Sequence, residues 1–169
     1  MAAATLLPVL TVDPDLEQDS ADLYDALSNL VRVYQFRDRD RICCYDVSVT
    51  QCYALEGLVH LGGMTLNELA AHLFLDKSTA SRVVDALERK GYVARTTHPR
   101  DRRSVLLEPT ETGRALEGKI REEILCEEQK LLADFPHDVR QAMTQLLSRL
   151  ARAATSRVET GGGSCCRIP

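Results

Sequence analysis

Two groups of residues in this chain have the types and spacing to do chemistry. The first is Lys77, Ser78, Thr79, Ser81 and Arg82, followed downstream by the run THPRDRR, in which Arg100, Arg102 and Arg103 surround Asp101. Small hydroxyls let a helix approach phosphates and bond to them or to base edges, and an arginine such as Arg82 can reach the edge of a guanine. Arginines on a projecting loop suit a narrow minor groove, whose negative potential attracts them. Asp101 would be repelled by phosphate, so its expected role is to hold an arginine in place. A surface ion pair of little energetic value is the plain alternative.

The second group is the cysteines: Cys43, Cys44, Cys52, Cys126, Cys165 and Cys166. Neighbouring residues have Cα atoms about 3.8 Å apart, below the roughly 4.4 Å at which disulfides begin, so a bond within either adjacent pair would be strained. Such pairs suit sharing a soft ion or bonding elsewhere. Two thiolates from one segment and a third from another would form a site for arsenic(III), antimony(III) or mercury. Cys52 and Cys126 read equally well as small apolar packing residues. Zinc fits poorly: no cysteines stand two residues apart, and His60, His72, His98 and His137 are scattered. Nor is there a phosphate-binding glycine loop, a metalloprotease motif or a dinucleotide fingerprint. A thiol-dependent enzyme is the remaining catalytic class, and nothing in the spacing brings a cysteine and a histidine together.

Apolar periodicity supplies the elements that must position these groups. Leu16, Leu23, Leu27, Leu30, Val31 and Tyr34 recur at helical spacing from Asp13 to about Asp38, and the charged stretch Arg37 to Arg41 breaks the pattern. A second helix is expected from about Thr50 to Leu61, stopped by Gly62 and Gly63. Thr65 and Glu68 make a capping-box pair ahead of Leu66, Leu69, Ala70 and Leu73. After a turn at Phe74 and Leu75, Asp76 can cap a helix with Ala80, Val83, Val84 and Leu87 inside and Gly91 at its end. That leaves Ser78, Ser81, Arg82, Asp85 and Arg89 on its outer face, with Thr79 at the edge. Two short helices with a tight turn make a helix-turn-helix.

Tyr92 to Thr96 and Ser104 to Glu108 then read as a hairpin with a basic tip. Thr110 can cap a helix of about 25 residues, roughly 38 Å long, and Pro136 opens a last one carrying Val139, Met143, Leu146, Leu147 and Leu150. The tail TGGGSCCRIP has no periodicity and is expected to be flexible. The predicted fold is therefore mainly α, of the α+β kind: a winged helix-turn-helix with long terminal helices. Segments 13–62 and 110–158 flank a DNA-binding module at 63–109, and a Cys-containing tail occupies 159–169. Terminal helices too long to be covered by the module need a partner, and a second copy of the chain in a two-fold homodimer is the simplest.

Composition agrees with a soluble protein of one large or two small domains: 169 residues, 44% hydrophobic, net charge −4. A chain of this length needs no disulfides to fold. Residues 64–103 hold 8 basic and 5 acidic side chains, against 4 and 10 in residues 1–63. Phosphate contacts need local positive charge, so an acidic protein with one basic module is compatible with DNA binding. No stretch approaches the roughly 20 apolar residues of a membrane span. The apolar first dozen residues lack a basic n-region, so a cytoplasmic location with no membrane partner is expected.

STASRVVDALERKGYV, then seven residues, then DRRSVLLEPTETG resembles the signature of the MarR family of winged-helix regulators, and the helix order from Asp13 to Val158 fits the same family. The resemblance implies an obligate homodimer, a recognition helix at about Lys77 to Lys90, and a wing whose Arg103 enters the minor groove while Asp101 orients it. A palindromic operator with half-sites about one helical turn apart follows from two-fold symmetry. The resemblance further implies repression relieved by a ligand or by cysteine chemistry in a crevice, near which Cys43, Cys44 and Cys52 would lie. The leading expectation is a thiol-based sensor: Cys43, Cys44, Cys52, Cys165 and Cys166, or three of them, capture a thiophilic ion, with no cofactor needed for folding. Disulfide formation by an oxidant, with Arg41 lowering a thiol pKa, is the close rival. A small aromatic ligand in the crevice is the third.

Overall fold

The computed structural model describes residues 13–42, 44–97 and 104–160. In chain order the elements are α1 (Leu16–Ile42), α2 (Val49–His60), β1 (Met64–Thr65), α3 (Leu66–His72), α4 (Lys77–Arg89), β2 (Val93–Thr97), β3 (Val105–Pro109), α5 (Glu111–Leu132) and α6 (His137–Thr160). The three strands form an antiparallel sheet in the order β1-β3-β2, with Met64 opposite Leu107 and Arg95 also opposite Leu107 on the other side. This is the mainly helical winged helix-turn-helix that the periodicity predicts.

Packing divides the chain into two units, and the division falls within α5, after Ile120. The core of the first unit joins Leu55 and Leu58 of α2, Leu69 of α3, Val84 and Leu87 of α4, and Leu107 of β3, all essentially inaccessible. Ala80 is buried with them and Val83 is half-buried, so the inner face of α4 is the one its sequence marks. In the second unit α6 buries no described residue, and Val139, Met143, Leu146 and Leu147 are exposed.

Local chemistry explains most boundaries. Ser48 and Gln51 form a reciprocal capping box at α2, and Thr65 and Glu68 form another at α3. Asp76 caps α4. That helix ends as expected at Gly91 (φ +76°), where the N–H of Tyr92 bonds the carbonyl of Leu87 and that of Gly91 bonds Glu88. This is a Schellman ending, which favours a left-handed residue.

The charged stretch Arg37 to Arg41 does not end α1, contrary to expectation. Asp38 is buried, its Oδ1 accepting from Arg37 Nη2 at 2.9 Å and its Oδ2 from the Tyr53 hydroxyl at 2.7 Å. The Arg37 guanidinium also lies 4.1 Å from the Tyr34 ring centroid. The charges thus find partners inside the fold, and Arg39 and Arg41 stand in the last turn, where cations oppose the helix dipole. The two-residue β1 has no alternating signal of its own and exists through its pairing with Leu106 and Leu107.

The turn between α3 and α4 repeats the Schellman pattern without glycine. Leu75 N–H bonds Ala70 and Phe74 N–H bonds Ala71, with Phe74 in the left-handed region at φ 53° and exposed. That conformation costs a side-chain-bearing residue about 1–2 kcal/mol, less the entropy that glycine loses on folding. Phe74→Gly is therefore expected to raise stability by about 0.5–1 kcal/mol. A thermal melt that moves up by a few degrees is the check; an unchanged or lower midpoint means the ring makes compensating contacts.

Candidate nucleic-acid interface

Along the exposed start of α4, Asp76 organises the surface. Its Oδ1 accepts from the Ser78 hydroxyl at 2.6 Å and from the Thr79 backbone N–H at 2.9 Å, and its Oδ2 from the Thr79 hydroxyl at 2.7 Å. The Ser78 hydroxyl first, then the two groups of Thr79, hold the Asp76 carboxyl well below the usual carboxylate range. Arg82 leans back along the helix, its Nη2 3.3 Å from Thr79 Oγ1 and its Nε 3.4 Å from the Ser78 carbonyl. The surface thus gathers Ser78, Thr79 and Arg82, with Lys77 exposed at its start and Ser81 half-buried beside it.

Neighbouring charges are drawn away from this surface. Arg95 of β2 bonds Asp85 at 2.6 Å and Glu88 at 2.7 Å, offsetting one of the two negative charges that would repel phosphate. Lys90 bonds the Asp46 carbonyl and, at 3.2 Å, its carboxylate, so it ties down the segment before α2. Of the outer-face residues, Asp85 is therefore an internal partner, while Arg89 is exposed. Sequence reasoning missed Arg95, whose role appears only when β2 is laid beside α4.

A shallow groove of about 250 Å³ lies beside the start of α4, lined by Thr65, Leu66, Asn67, Lys77, Ser104 and Val105. It brings Lys77 together with the base of the wing and the start of α3. Asn67, exposed and polar, was legible only as part of a helix. Arg100, Asp101, Arg102 and Arg103 lie outside the described residues, between β2 and β3.

The cysteines separate by environment. Cys44 and Cys126 are exposed, and Cys52 is buried. Burial first, then the carboxylates of Glu56, Glu117 and Asp38, push the Cys52 thiol up to about 12. It keeps its proton at neutral pH and packs in the core of its unit, which fits the packing reading that its sequence also allowed. Thiol labelling tests this: Cys44 and Cys126 are expected to react quickly. Cys52, with a thiolate fraction about a thousand-fold lower than an ordinary thiol, is expected to react only on unfolding. Rapid modification of Cys52 in the folded protein would overturn the assignment. Cys43, Cys165 and Cys166 lie outside the described residues.

Two histidines, His60 and His72, do structural work. His60 Nε2 lies 2.9 Å from Oε1 of the buried Glu117, tying α2 to α5, and the His72 ring lies over Gly57. A second concavity, about 590 Å³, opens between α1 and α2 among Arg32, Gln35, Phe36, Arg39, Thr50 and Tyr53. It offers two guanidinium groups and two aromatic rings. No described helix is long and apolar enough to cross a membrane.

The fold and the exposed polar start of α4 define a winged helix-turn-helix regulator. Residues 45–104 match the MarR family model. A helix-turn-helix transcriptional regulator of Mycobacterium bovis is 31% identical over 134 residues, 78% of this chain and 91% of that protein. The Bacillus subtilis regulator YsmB is 27% identical over 115 residues, 68% of this chain and 76% of that one. Among solved structures, a MarR family protein from Bacillus stearothermophilus superposes with a TM-score of 0.75 at 27% identity, covering 82% of this chain and 97% of its own. A MarR transcriptional regulator from Methanosarcina mazei gives 0.71 at 26% identity, over 80% and 98%. The chain belongs to the MarR family of transcriptional regulators, which bind DNA and are typically dimeric. It is a regulator and not an enzyme, as these relatives are.

Proposed function

We propose that the chain is a homodimeric repressor that reads a palindromic operator with α4 in the major groove. Arg82 reaches a guanine edge, while Lys77, Ser78, Thr79 and Ser81 hold the phosphate backbone beside it. Arg100, Arg102 and Arg103 of the wing enter the minor groove, with Asp101 orienting Arg103. The observation that carries this reading is the start of α4, where Lys77, Ser78 and the Arg82 guanidinium stand exposed while Arg95 engages Asp85 and Glu88. Fluorescence anisotropy on the chain's own upstream DNA tests it. Binding should be tight, steeply salt-dependent and strongly weakened by Arg103→Ala. Weak binding indifferent to salt and to that substitution would refute it.

The effector belongs to the same proposal. An adjacent pair of thiols at Cys43 and Cys44, with Cys44 exposed, and the pair Cys165 and Cys166 are the set that would capture a thiophilic ion such as arsenic(III). Titrating the protein–DNA complex with arsenite is expected to release DNA near stoichiometric ion, and serine at all four positions is expected to abolish the release. Release that survives those substitutions would remove the thiols from the mechanism. Oxidation is separated by intact mass, since a disulfide loses two hydrogens and a captured ion leaves an adduct. The concavity between α1 and α2 favours a second reading, a small aromatic anion, because Arg32 and Arg39 supply charge and Phe36 and Tyr53 supply ring faces.

A further inference from the structure

Helix α4 is tethered towards one end. Side-chain hydrogen bonds at its start stay within residues 76–82, whereas its polar bonds to other elements fall between Asp85 and Gly91. Lys90, the C-cap residue, shares a face with the half-buried Val83 and Ala86. Its ammonium bonds the Asp46 carbonyl, the Asp46 carboxylate at 3.2 Å and the Gln51 side-chain oxygen at 3.4 Å, so three acceptors stand around three donor hydrogens. Gln51 also closes the capping box of α2. The segment that receives Lys90 is fixed on further sides. Ile42 and Val47 are buried, Tyr45 N–H bonds the Ile42 carbonyl at 2.9 Å, and Lys119 of α5 lies 5.3 Å from the Tyr45 ring centroid. Helix α5 returns to α4 through the hydroxyls of Thr110 and Thr112 on the Gly91 carbonyl. The end of α4, the segment before α2 and the first half of α5 thus form a closed triangle of polar contacts.

Apolar burial is non-directional, so the inner face of α4 holds it on the core while its tilt is set by groups whose energy falls steeply with geometry. Arg82 lies eight positions before Lys90, about 12 Å along the axis, and a tilt of about 5° at that end moves it by about 1 Å. Hydrogen bonds to a base edge are lost over such a distance, whereas attraction to phosphate, which decays over about 10 Å, hardly changes. We propose that Lys90 is a positioning residue for operator recognition: by tying the end of α4 to Asp46 and Gln51 it sets the pose in which Arg82 meets a base pair. It thereby governs sequence preference without touching DNA. This rests on the reading of α4 as the recognition helix and adds a residue outside its DNA-facing surface on which recognition depends.

Lys90→Met, which keeps an apolar stem and removes the ammonium, tests it in the full chain. Operator affinity is expected to fall about tenfold, with affinity for scrambled DNA within about twofold of wild type and the salt slope unchanged. Lys77→Ala is the contrast, since loss of a phosphate contact lowers both affinities and takes about one from the slope. In the free protein, amide NMR signals of Ser78 to Arg82 are expected to shift together with those of Asp46 and Gln51, a response that a purely local bond would not give. Should Lys90→Met fold poorly, Asp46→Lys, at an exposed side chain, sets a cation against Lys90 and is expected to give the same pattern. Shifts confined to the surroundings of Asp46, Gln51 and Lys90, an unchanged operator preference, or a salt slope lower by about one would overturn the positioning role. A wild type that fails to distinguish operator from scrambled DNA would instead overturn the reading of α4, and the NMR shifts would still decide whether Lys90 sets its pose.

Discussion

Gly113→Ala is expected to cost about 3 kcal/mol or more, at the upper end of what overpacking produces. A Cβ at this position would lie 2.1 Å from the Tyr92 carbonyl oxygen and 3.2 Å from Leu55 Cδ1. The first neighbour is backbone, so no rotamer change can relieve the clash. The close approach is itself built: Thr110 N–H bonds the same Tyr92 carbonyl at 3.0 Å. The hydroxyls of Thr110 and Thr112 bond the Gly91 carbonyl at 2.6 and 2.9 Å. Thr110 Oγ1 also accepts from Gly113 N–H, capping α5. Separating α5 from the end of α4 would break the bonds to Tyr92 and Gly91. Thermal denaturation is expected to show a midpoint lower by roughly 6–12 °C for a chain of this size. Gly118→Ala in the same helix is the control, because nothing lies within 4 Å of its Cβ position. Alanine is favoured over glycine there by about 1 kcal/mol. Equal effects at the two positions would show that the contact with Tyr92 is not what requires glycine.

Arg82→Ala is expected to weaken operator binding by about 1–3 kcal/mol, roughly five- to 150-fold, and to relax preference at one base pair per half-site. Its exposed guanidinium is held near Thr79 only by long hydrogen bonds of 3.3 and 3.4 Å, so it is ordered by its helix yet free to turn toward a base. Removing a contact to a base edge changes sequence preference, whereas removing a phosphate contact weakens all sequences alike. Lys77→Ala is accordingly expected to lower affinity uniformly and to reduce the salt slope by about one. Binding of the operator and of scrambled DNA, each across a salt series, separates the two. An Arg82→Ala protein that loses affinity equally for both sequences would move Arg82 to the backbone-contacting set.

Phe74 and Asp38 mark where local rules and the folded chain part company. The turn at Phe74 was legible from the interruption between two apolar patterns, but its left-handed backbone was not, because the sequence lacks the glycine that usually announces one. The run Arg37 to Arg41 looked like a break because charge seldom enters a packed helix without a partner. Its partner Tyr53 lies 15 positions from Asp38. Cys52 illustrates the same gap in the candidate site. Cysteine serves equally as a ligand and as a small core residue, and only the folded chain shows that Cys52 lies on the buried face of α2.

What the sequence determined by itself was whatever depends on neighbours a few residues apart. Capping pairs at Thr65 and Glu68, the cap at Asp76, the stop at Gly91 and the apolar face of α4 all arise from contacts within one or two helical turns, so periodicity and residue type suffice. That Ser78, Ser81 and Arg82 share the outer side of α4 was legible for the same reason, since a single helix holds them. Tertiary structure alone decided which charges remain available. Arg95 reaches Asp85 and Glu88 because β2 folds back beside α4, Lys90 reaches Asp46 across 44 positions, and Gly113 meets Tyr92 because α5 closes against that turn. Charge pairing and close packing depend on distance in space, and no local pattern fixes the distance between segments that the chain separates.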